Sequence, residues 1–314
     1  MTAHLTVVGS LNMDLVVRAP RIPQPGETII GSGFHTVPGG KGANQAVAAA
    51  RLGAHVSLVG RVGQDAFGQA LLESLASDSV DQTFVIQDPH APTGVALIVV
   101  DDSGQNSIVV ASGANMRLSP ADVEAAEGAI VDADVVLMQL ESPLDAVTRA
   151  AEIAHAHGVP VILNPAPARP LPPSLLSLVD VLIPNESETA LLTHMPVADP
   201  AQAQAAAAAL LELGVGTVIL TLGERGALLA RPGTATHAGG ERSRTIPAFE
   251  VAPVDTTAAG DAFVGGFAVA LAEGKALLDA VRWGNAAGAL ATTRMGAQPS
   301  LPTRQAVEDL LSRQ

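Results

Sequence analysis

No cysteine occurs in the 314 residues. That excludes a disulfide scaffold, thiol catalysis and any zinc or iron–sulfur site built on thiolates. Aromatic side chains are nearly as scarce, with six Phe, one Trp and no Tyr, which counts against sites that stack several rings on bases. Only 17 Lys and Arg stand against 31 Asp and Glu, a net charge of −14. Extended contact with nucleic acid or an anionic membrane needs the opposite balance. An anionic ligand must therefore be held locally, by a helix N-terminus, a backbone nest or a metal ion. No apolar run approaches the roughly 18 residues of a membrane span. The N-terminal stretch lacks a basic region and is interrupted by Asn12 and Asp14. It reads as a first strand rather than a signal peptide, and a cytoplasmic location is expected.

What is present is apolar and patterned. Hydrophobic residues make up 48%, enough for a sizeable core. From about residue 134, short β-branched runs alternate with helical patterns. Val135–Met138 precedes a helix near Pro143–His157, Val159–Leu163 follows, and Val181–Ile183 precedes Glu186–Leu192. An alanine-rich helix over 200–212 then leads to Val215–Leu220. This alternation implies βαβ units in a parallel sheet with helices on both faces. Ser119-Pro120 with Asp122 marks a helix start, and Gly53, Gly158 and Gly214 each follow a helical run, where a left-handed terminator is wanted. The N-terminal third differs. Strands are expected at Met13–Arg18, Thr28–Val37, Val95–Val100 and Ser107–Ala111, placed around a helix at Ala43–Leu52, with a hairpin turn at Asp101–Gly104. Pattern alone leaves two arrangements open, a small separate sheet or ordinary edge strands.

In open parallel sheets, ligands bind at the carboxyl ends of strands. Four apolar runs end in polar or glycine-bearing turns: Gln139–Glu141, Asn164-Pro165, Pro184–Glu186 and Thr221–Gly226. Together they suggest a polar cleft along one edge. The Gly39-Gly40-Lys41-Gly42-Ala43-Asn44 run permits close approach of backbone to a ligand. It lacks the Walker A spacing, so a P-loop enzyme is disfavoured. Val254–Asp261 is the sharpest element. Small residues at 258–260 let successive N–H groups face one anion at a helix N-terminus, with Asp261 in the first turn. A carboxylate beside an anion hole suits activation of a hydroxyl and stabilisation of a transferred phosphoryl group. An Asp that merely stabilises a helix start fits the same residues.

Several stretches occur in a recognisable order: GSLNMD (9–14), GGKGANQAVAAARLGA (39–54), MQLESPL (138–144), NPAPARPLP (164–172), PNESE (184–188), TLGERG (221–226), VDTTAAGDAF (254–263) and GAQPSLP (296–302). From about residue 5 onward the chain resembles the ribokinase family of phosphofructokinase-B-type carbohydrate kinases. The resemblance implies an α/β fold: a Rossmann-like, mostly parallel sheet sandwiched by helices, with a small β-sheet lid. It implies one kinase domain over 1–314, the lid formed mainly from about 13–38 and 93–111. It further implies ATP-dependent phosphorylation of D-ribose at the 5-hydroxyl. Related activities on deoxyribose, fructose or a nucleoside, or a catalytically silent sensor of sugar or nucleotide, remain as alternatives. Few aromatics count against a nucleoside, and an intact Asp261 turn counts against a silent sensor.

Carried over residue by residue, the resemblance makes Asp261 the catalytic base and Ala258, Ala259 and Gly260 the anion hole. Asn12, Asp14, Gly39, Gly40, Lys41, Asn44 and Glu141 would hold the sugar, with Asp261. Asn185, Thr221, Leu222, Gly223, Glu224, Arg225, Gly226, Gly260 and Asn285 would lie on the ATP side. Glu188 would organise magnesium through water. A potassium ion beside the anion hole would be held at Asp255, Thr257, Ala291, Arg294, Gly296 and Ser300, mostly by backbone carbonyls. A homodimer through the lid is implied as well. Two departures are small: Asn285 stands where relatives can carry His, and Pro38 precedes the glycine run, where it would stiffen a hinge.

Overall fold

The computed structural model describes residues 2–233 and 243–313. The strands are β1 (His4–Val8), β2 (Asn12–Arg18), β3 (Gly33–Gly39), β4 (His55–Gly63), β5 (Asp81–Asp88), β6 (Gly94–Val100) and β7 (Asn106–Ala111). They continue as β8 (Val135–Met138), β9 (Val161–Leu163), β10 (Val181–Leu182), β11 (Thr217–Thr221), β12 (Ala227–Ala230) and β13 (Ser243–Ile246). Nine of them form one sheet in the order β13-β12-β11-β10-β9-β8-β1-β4-β5. Its pairings are parallel except β11–β12 and β12–β13.

The alternation of side chains along each strand splits the core in two. On one face Leu5, Val7, Leu137 and Ile219 pack against helices Lys41–Arg51, Ala259–Ala272 and Leu277–Ala291. On the other, Val8, Val136, Met138 and Val218 pack against helices Leu144–Ala156 and Pro200–Glu212. Both faces are covered, which is why the central strands read as unbroken apolar runs. The helix punctuation follows the sequence closely. Ser119 and Asp122 form a capping box, and Gly53, Gly158 and Gly214 take φ of 94°, 71° and 103°.

The remaining four strands make a separate sheet in the order β3-β2-β6-β7, which resolves the choice left open by pattern. β2 and β6 pair in parallel, whereas β2–β3 and β6–β7 are antiparallel. The β6–β7 turn is held by Asp101, whose carboxylate accepts from the Ser103 and Gln105 amides. One expectation is corrected: the strand anticipated over 28–37 runs from Gly33 to Gly39. Pairing stops at Arg18 opposite Gly33, so the segment 28–32 has no ladder to join. Ile30 there is 85% exposed.

Candidate active site

The carboxyl ends of β9 to β11 and the start of helix Ala259–Ala272 border a cavity of about 240 Å³. Lys41, Asn164, Ala166, Ile183, Asn185, Glu188, Thr221, Thr256, Ala258, Gly260, Asp261 and Val264 line it. The polar strand ends thus converge where the topology places ligands in parallel sheets. Local backbone shapes the helix entry. Ala258 is left-handed at φ 58°, a conformation that a non-glycine residue holds only under tertiary constraint. The Ala259 N–H donates to Thr256 O and that of Ala262 to Ala258 O. Those of Gly260 and Asp261 have no acceptor among the described residues, so of the expected set Ala258, Ala259 and Gly260 the Ala259 amide is engaged and the Asp261 amide, not expected, is open. Two open amides at the positive end of a helix suit an anion.

Asp261 is 6% exposed. Its Oδ2 accepts from Asn44 Nδ2 and its Oδ1 from Gln45 Nε2, each at 2.9 Å. Burial pushes its carboxyl pKa up, against the pull of Lys41 and of the two amide donors. Lys41 is the hub of the local charge. Burial opposes its ammonium form, but Asp261, Glu141, Glu188 and Asp14 outweigh burial and hold its pKa above the ordinary value. Asp14 is raised from 3.8 to about 7, first by burial and then by Glu141 and Asp261.

Asp14 therefore keeps its proton longer in the folded chain than in the unfolded one, and stability falls as pH rises from about 4 to about 7. Asp14→Asn, neutral throughout, is expected to be more stable than the parent at pH 8 by roughly 1–3 kcal/mol. The gain should vanish near pH 4. Urea titrations at the two pH values measure it, and a gain that is the same at both would contradict the assignment.

Of the glycine run, Lys41 reaches the cavity and Gly39 packs against Asp14. A Cβ on Gly39 would lie 2.5 Å from Asp14 Oδ2, so any larger residue there would push that carboxylate out of its present position. Gly40 takes φ 87° against the backbone of Leu11 and Asn12. Glu141 Oε2 accepts from Ser10 Oγ at 2.5 Å and from the Lys41 amide at 3.1 Å, which ties the β8 loop to that turn. Asn12 is set by Asn115, which donates to Asn12 Oδ1 at 2.8 Å while bonding both backbone groups of Leu11. The Asn12 amide nitrogen is thereby left for a ligand. The structure brings Asp14, Lys41, Asn44, Glu141 and Asp261 into one electrostatic cluster.

On the other flank, Asn185 caps helix Glu186–Thr193 and bridges to Thr221. Both Glu188 carboxylate oxygens accept from Asn185, at 2.8 and 2.9 Å. Leu222 to Gly226 form a tight turn, closed by the Leu222 amide on Gly226 O at 2.8 Å. Arg225 pairs with Glu186. Of this group only Asn185, Glu188, Thr221 and Gly260 line the cavity. Asn285 stands apart, its amide nitrogen bonded to the Ile246 and Pro247 carbonyls. Behind the helix entry, Asp255 accepts from the Thr257 hydroxyl and amide and from the Gly296 amide. The Thr292 carbonyl accepts from the amides of Val254 and Asp255, which joins the 254–257 turn to the 291–300 loop. The Ser300 hydroxyl donates to Ala297 O at 2.8 Å, and the Arg294 amide to Ala291 O.

Four participants are absent from the site residues expected from the sequence: Gln45, Asn115 and, as partners of Gln45, Asn164 and Gln139. Asn164 carries a local signal, its place at a polar strand end. Gln45 and Asn115 carry none beyond their nearness to Asn44 and to the end of β7.

Comparison with known proteins agrees with this geometry. Residues 2–304 match the pfkB family carbohydrate kinase description. The chain is 46% identical over 311 residues to a ribokinase from Haemophilus influenzae, covering 99% of each chain. It is 37% identical to a deoxyribokinase from Salmonella typhimurium, covering 98% of each. It superposes on the structure of Arabidopsis thaliana ribokinase complexed with ribose and ATP with a TM-score of 0.90, at 38% identity and 99% coverage of both chains. A family match along nearly the whole length, joined to a cavity built from the same motifs, means that the chain belongs to the pfkB family of carbohydrate kinases.

Proposed function

We propose that this protein transfers the terminal phosphoryl group of ATP to the 5-hydroxyl of D-ribose, giving D-ribose 5-phosphate and ADP. The observation that carries the reading is the position of Asp261. It is a buried carboxylate bonded to Asn44 and placed beside the open amides of a helix N-terminus, on the wall of the strand-end cavity. The near full-length likeness to ribokinases supports the choice of sugar and nucleotide. In this reading, Asp14, Glu141 and Asn44 Oδ1 accept from the sugar hydroxyls and the Asn12 amide nitrogen donates to them. The 5-hydroxyl donates to Asp261. As its oxygen attacks the terminal phosphorus, its proton passes to that carboxylate while the bond to ADP breaks. Because the transition state is loose, positioning and charge stabilisation dominate, and Lys41 with the Gly260 and Asp261 amides faces the equatorial charge. Asn185 and the Thr221–Gly226 turn would border ATP, and Asn285 would act by shaping the adenine wall.

Two ions belong to the proposal. Glu188 is 9% exposed and lines the cavity, and burial raises its pKa against its Asn185 bond and Lys41. A buried carboxylate in that state fits a hydrated magnesium ion nearby, which would neutralise phosphate charge. Asp255 is held below the ordinary carboxylate range: burial opposes ionisation, but bonds from Thr257 and Gly296 outweigh it. With neighbouring carbonyls it offers the oxygen donors of a potassium site, with Thr257, Ala291, Arg294, Gly296 and Ser300 around it. Activity is expected to rise severalfold on titration with potassium and not with choline. Indifference to the cation would remove that role.

The four-stranded sheet would serve as a lid over the sugar. Phe34, Ile108 and Val109 on it are at least half exposed. Apolar side chains along a sheet with open edges favour pairing with a second copy, so we take the protein to be a homodimer through the lid. A cytoplasmic location accords with the substrates. Among the described residues no helix is long and apolar enough to cross a membrane. A second reading, phosphorylation of 2-deoxyribose, is favoured by the 37% identity to a deoxyribokinase. Coupled measurement of ADP release with ribose, 2-deoxyribose, fructose and nucleosides decides between them. Ribose giving the highest kcat/KM is the expected result, and no ADP release with any acceptor would overturn the proposal.

A further inference from the structure

Gln45 sits one residue beyond Asn44 and is fully buried. Its Nε2 donates to Asp261 Oδ1 at 2.9 Å and to Asn164 Oδ1 at 3.1 Å, and its Oε1 accepts from Gln139 Nε2 at 2.6 Å. Asn164 in turn donates from Nδ2 to Ile183 O at 2.9 Å. A backbone carbonyl can only accept, so it fixes which end of each amide points where. Asn164 must turn its nitrogen to Ile183 and its oxygen to Gln45. Gln45 must then present nitrogen to Asn164, and the same nitrogen meets Asp261. Its oxygen is left to Gln139, whose own Oε1 is buried without a partner. Turning Gln139 over to relieve that oxygen would set it against the Gln45 oxygen, so the whole chain holds one polarity.

Gln45 differs here from its neighbour. Asn44 spends its nitrogen on Asp261 and keeps a buried, unpartnered Oδ1, an acceptor available to a ligand. Gln45 has both amide hydrogens and its oxygen engaged within the protein, so it has no hydrogen left for a substrate. We infer that Gln45 is a positioning residue, which aims the Asp261 carboxylate at the acceptor hydroxyl and favours its ionised form, anchored through Asn164 to the Ile183 carbonyl and steadied by Gln139. The charged groups facing Asp261 are Lys41 on its helix, Glu141 after β8, Asp14 on β2 and Glu188 on helix Glu186–Thr193. Lys41 alone among them favours ionisation, so the amide donors carry a large part of that task.

This inference rests on the sugar-kinase reading for its kinetic test. Gln45→Met keeps the length of the side chain and removes the amide. With the sugar that supports activity, kcat is expected to fall about 10–100-fold while KM stays within about threefold. The acid limb of the kcat profile should move up by about one pH unit, as for loss of a hydrogen bond to a charged group. Gln139→Met leaves the donor but frees its anchor. It should move both readouts the same way by less, and it serves if Gln45→Met does not fold. Folding is checked by circular dichroism and melting. A folded Gln45→Met with unchanged kcat and an unmoved limb overturns the inference, as does a raised KM at unchanged kcat, the mark of direct sugar contact. A substrate-free measurement separates the two readings. In protein labelled with carboxyl-¹³C aspartate, the Asp261 resonance is assigned by its loss in Asp261→Asn, and its titration midpoint should rise in Gln45→Met. A midpoint that moves in a chain inactive on every sugar would sink the kinase reading alone. A midpoint that does not move would sink the role of Gln45 alone.

Discussion

Asp261→Asn is expected to lower kcat for ribose phosphorylation by about 10²–10⁴, the usual worth of a positioned general base, while the sugar still binds within a few-fold of the parent affinity. The geometry argues for that division. Asp261 is one of several groups around the sugar wall, and Asp14, Lys41, Asn44 and Glu141 survive the change. What is lost, on the proposed mechanism, is the acceptor for the hydroxyl proton. An asparagine also presents one oxygen and one NH₂ to two amide donors, Asn44 and Gln45, so one contact becomes donor against donor. The remaining oxygen turns to one donor, and the group no longer points at the acceptor hydroxyl. Folding should persist, because burial already opposes the charge that the substitution removes. Steady-state kinetics beside ribose binding by calorimetry measures both halves. A kcat within threefold of the parent would remove Asp261 as the base, and loss of sugar binding at unchanged kcat would make it a binding group instead.

The parts of this site that were legible in the sequence are those carried by local chemistry. The Ala258–Gly260 turn, the Asn185–Glu188 cap and the Gly39-Gly40 run announce themselves through small or capping residues next to a helical pattern; the cap and the glycine run take backbone forms their residues favour, whereas Ala258 is held left-handed by its surroundings. Strands β8 and β11 are apolar on both faces and therefore readable as buried parallel strands. The strand expected over 28–37 was displaced because its limits are set by its partner. β2 offers no residue beyond Arg18 for pairing, and Ile29-Ile30 looks strand-like without a ladder. Whether the N-terminal strands formed their own sheet was equally hidden, since the β2–β6 pairing joins Asn12 to Gly94. Gln45 shows the same limit within the site. Its identity as an amide is plain in the sequence, but its task depends on Asp261 and Asn164, which lie 216 and 119 residues away. A polar residue on a helix acquires chemistry only from what the fold sets against it.

Gly40→Ala should reduce kcat/KM for the sugar by about 10²-fold or more, a loss comparable to removing the base though it takes away no functional group. Gly40 holds φ 87° and ψ 132°, a region that residues other than glycine scarcely enter and that costs about 1–3 kcal/mol. Its Cβ would also stand 2.6 Å from Asn12 N and 2.9 Å from Leu11 Cα. Both neighbours are backbone, so relief requires the 39–41 turn and the start of β2 to separate. That movement displaces Asn12, Asp14 and Lys41 together, along with the Lys41 amide on Glu141. Misplacement by about 1 Å is enough for a loss of that size. Gly128→Ala provides the contrast. Gly128 lies in helix Glu127–Val131 with no atom within 4 Å of the added Cβ. There the change should raise stability by about 0.5–1 kcal/mol and leave kinetics alone. The two variants share one added methyl group, so a difference between them isolates the demand for a glycine where two stretches of backbone meet. Equal, near-parental kcat/KM in both would show that the turn yields without disturbing the sugar wall.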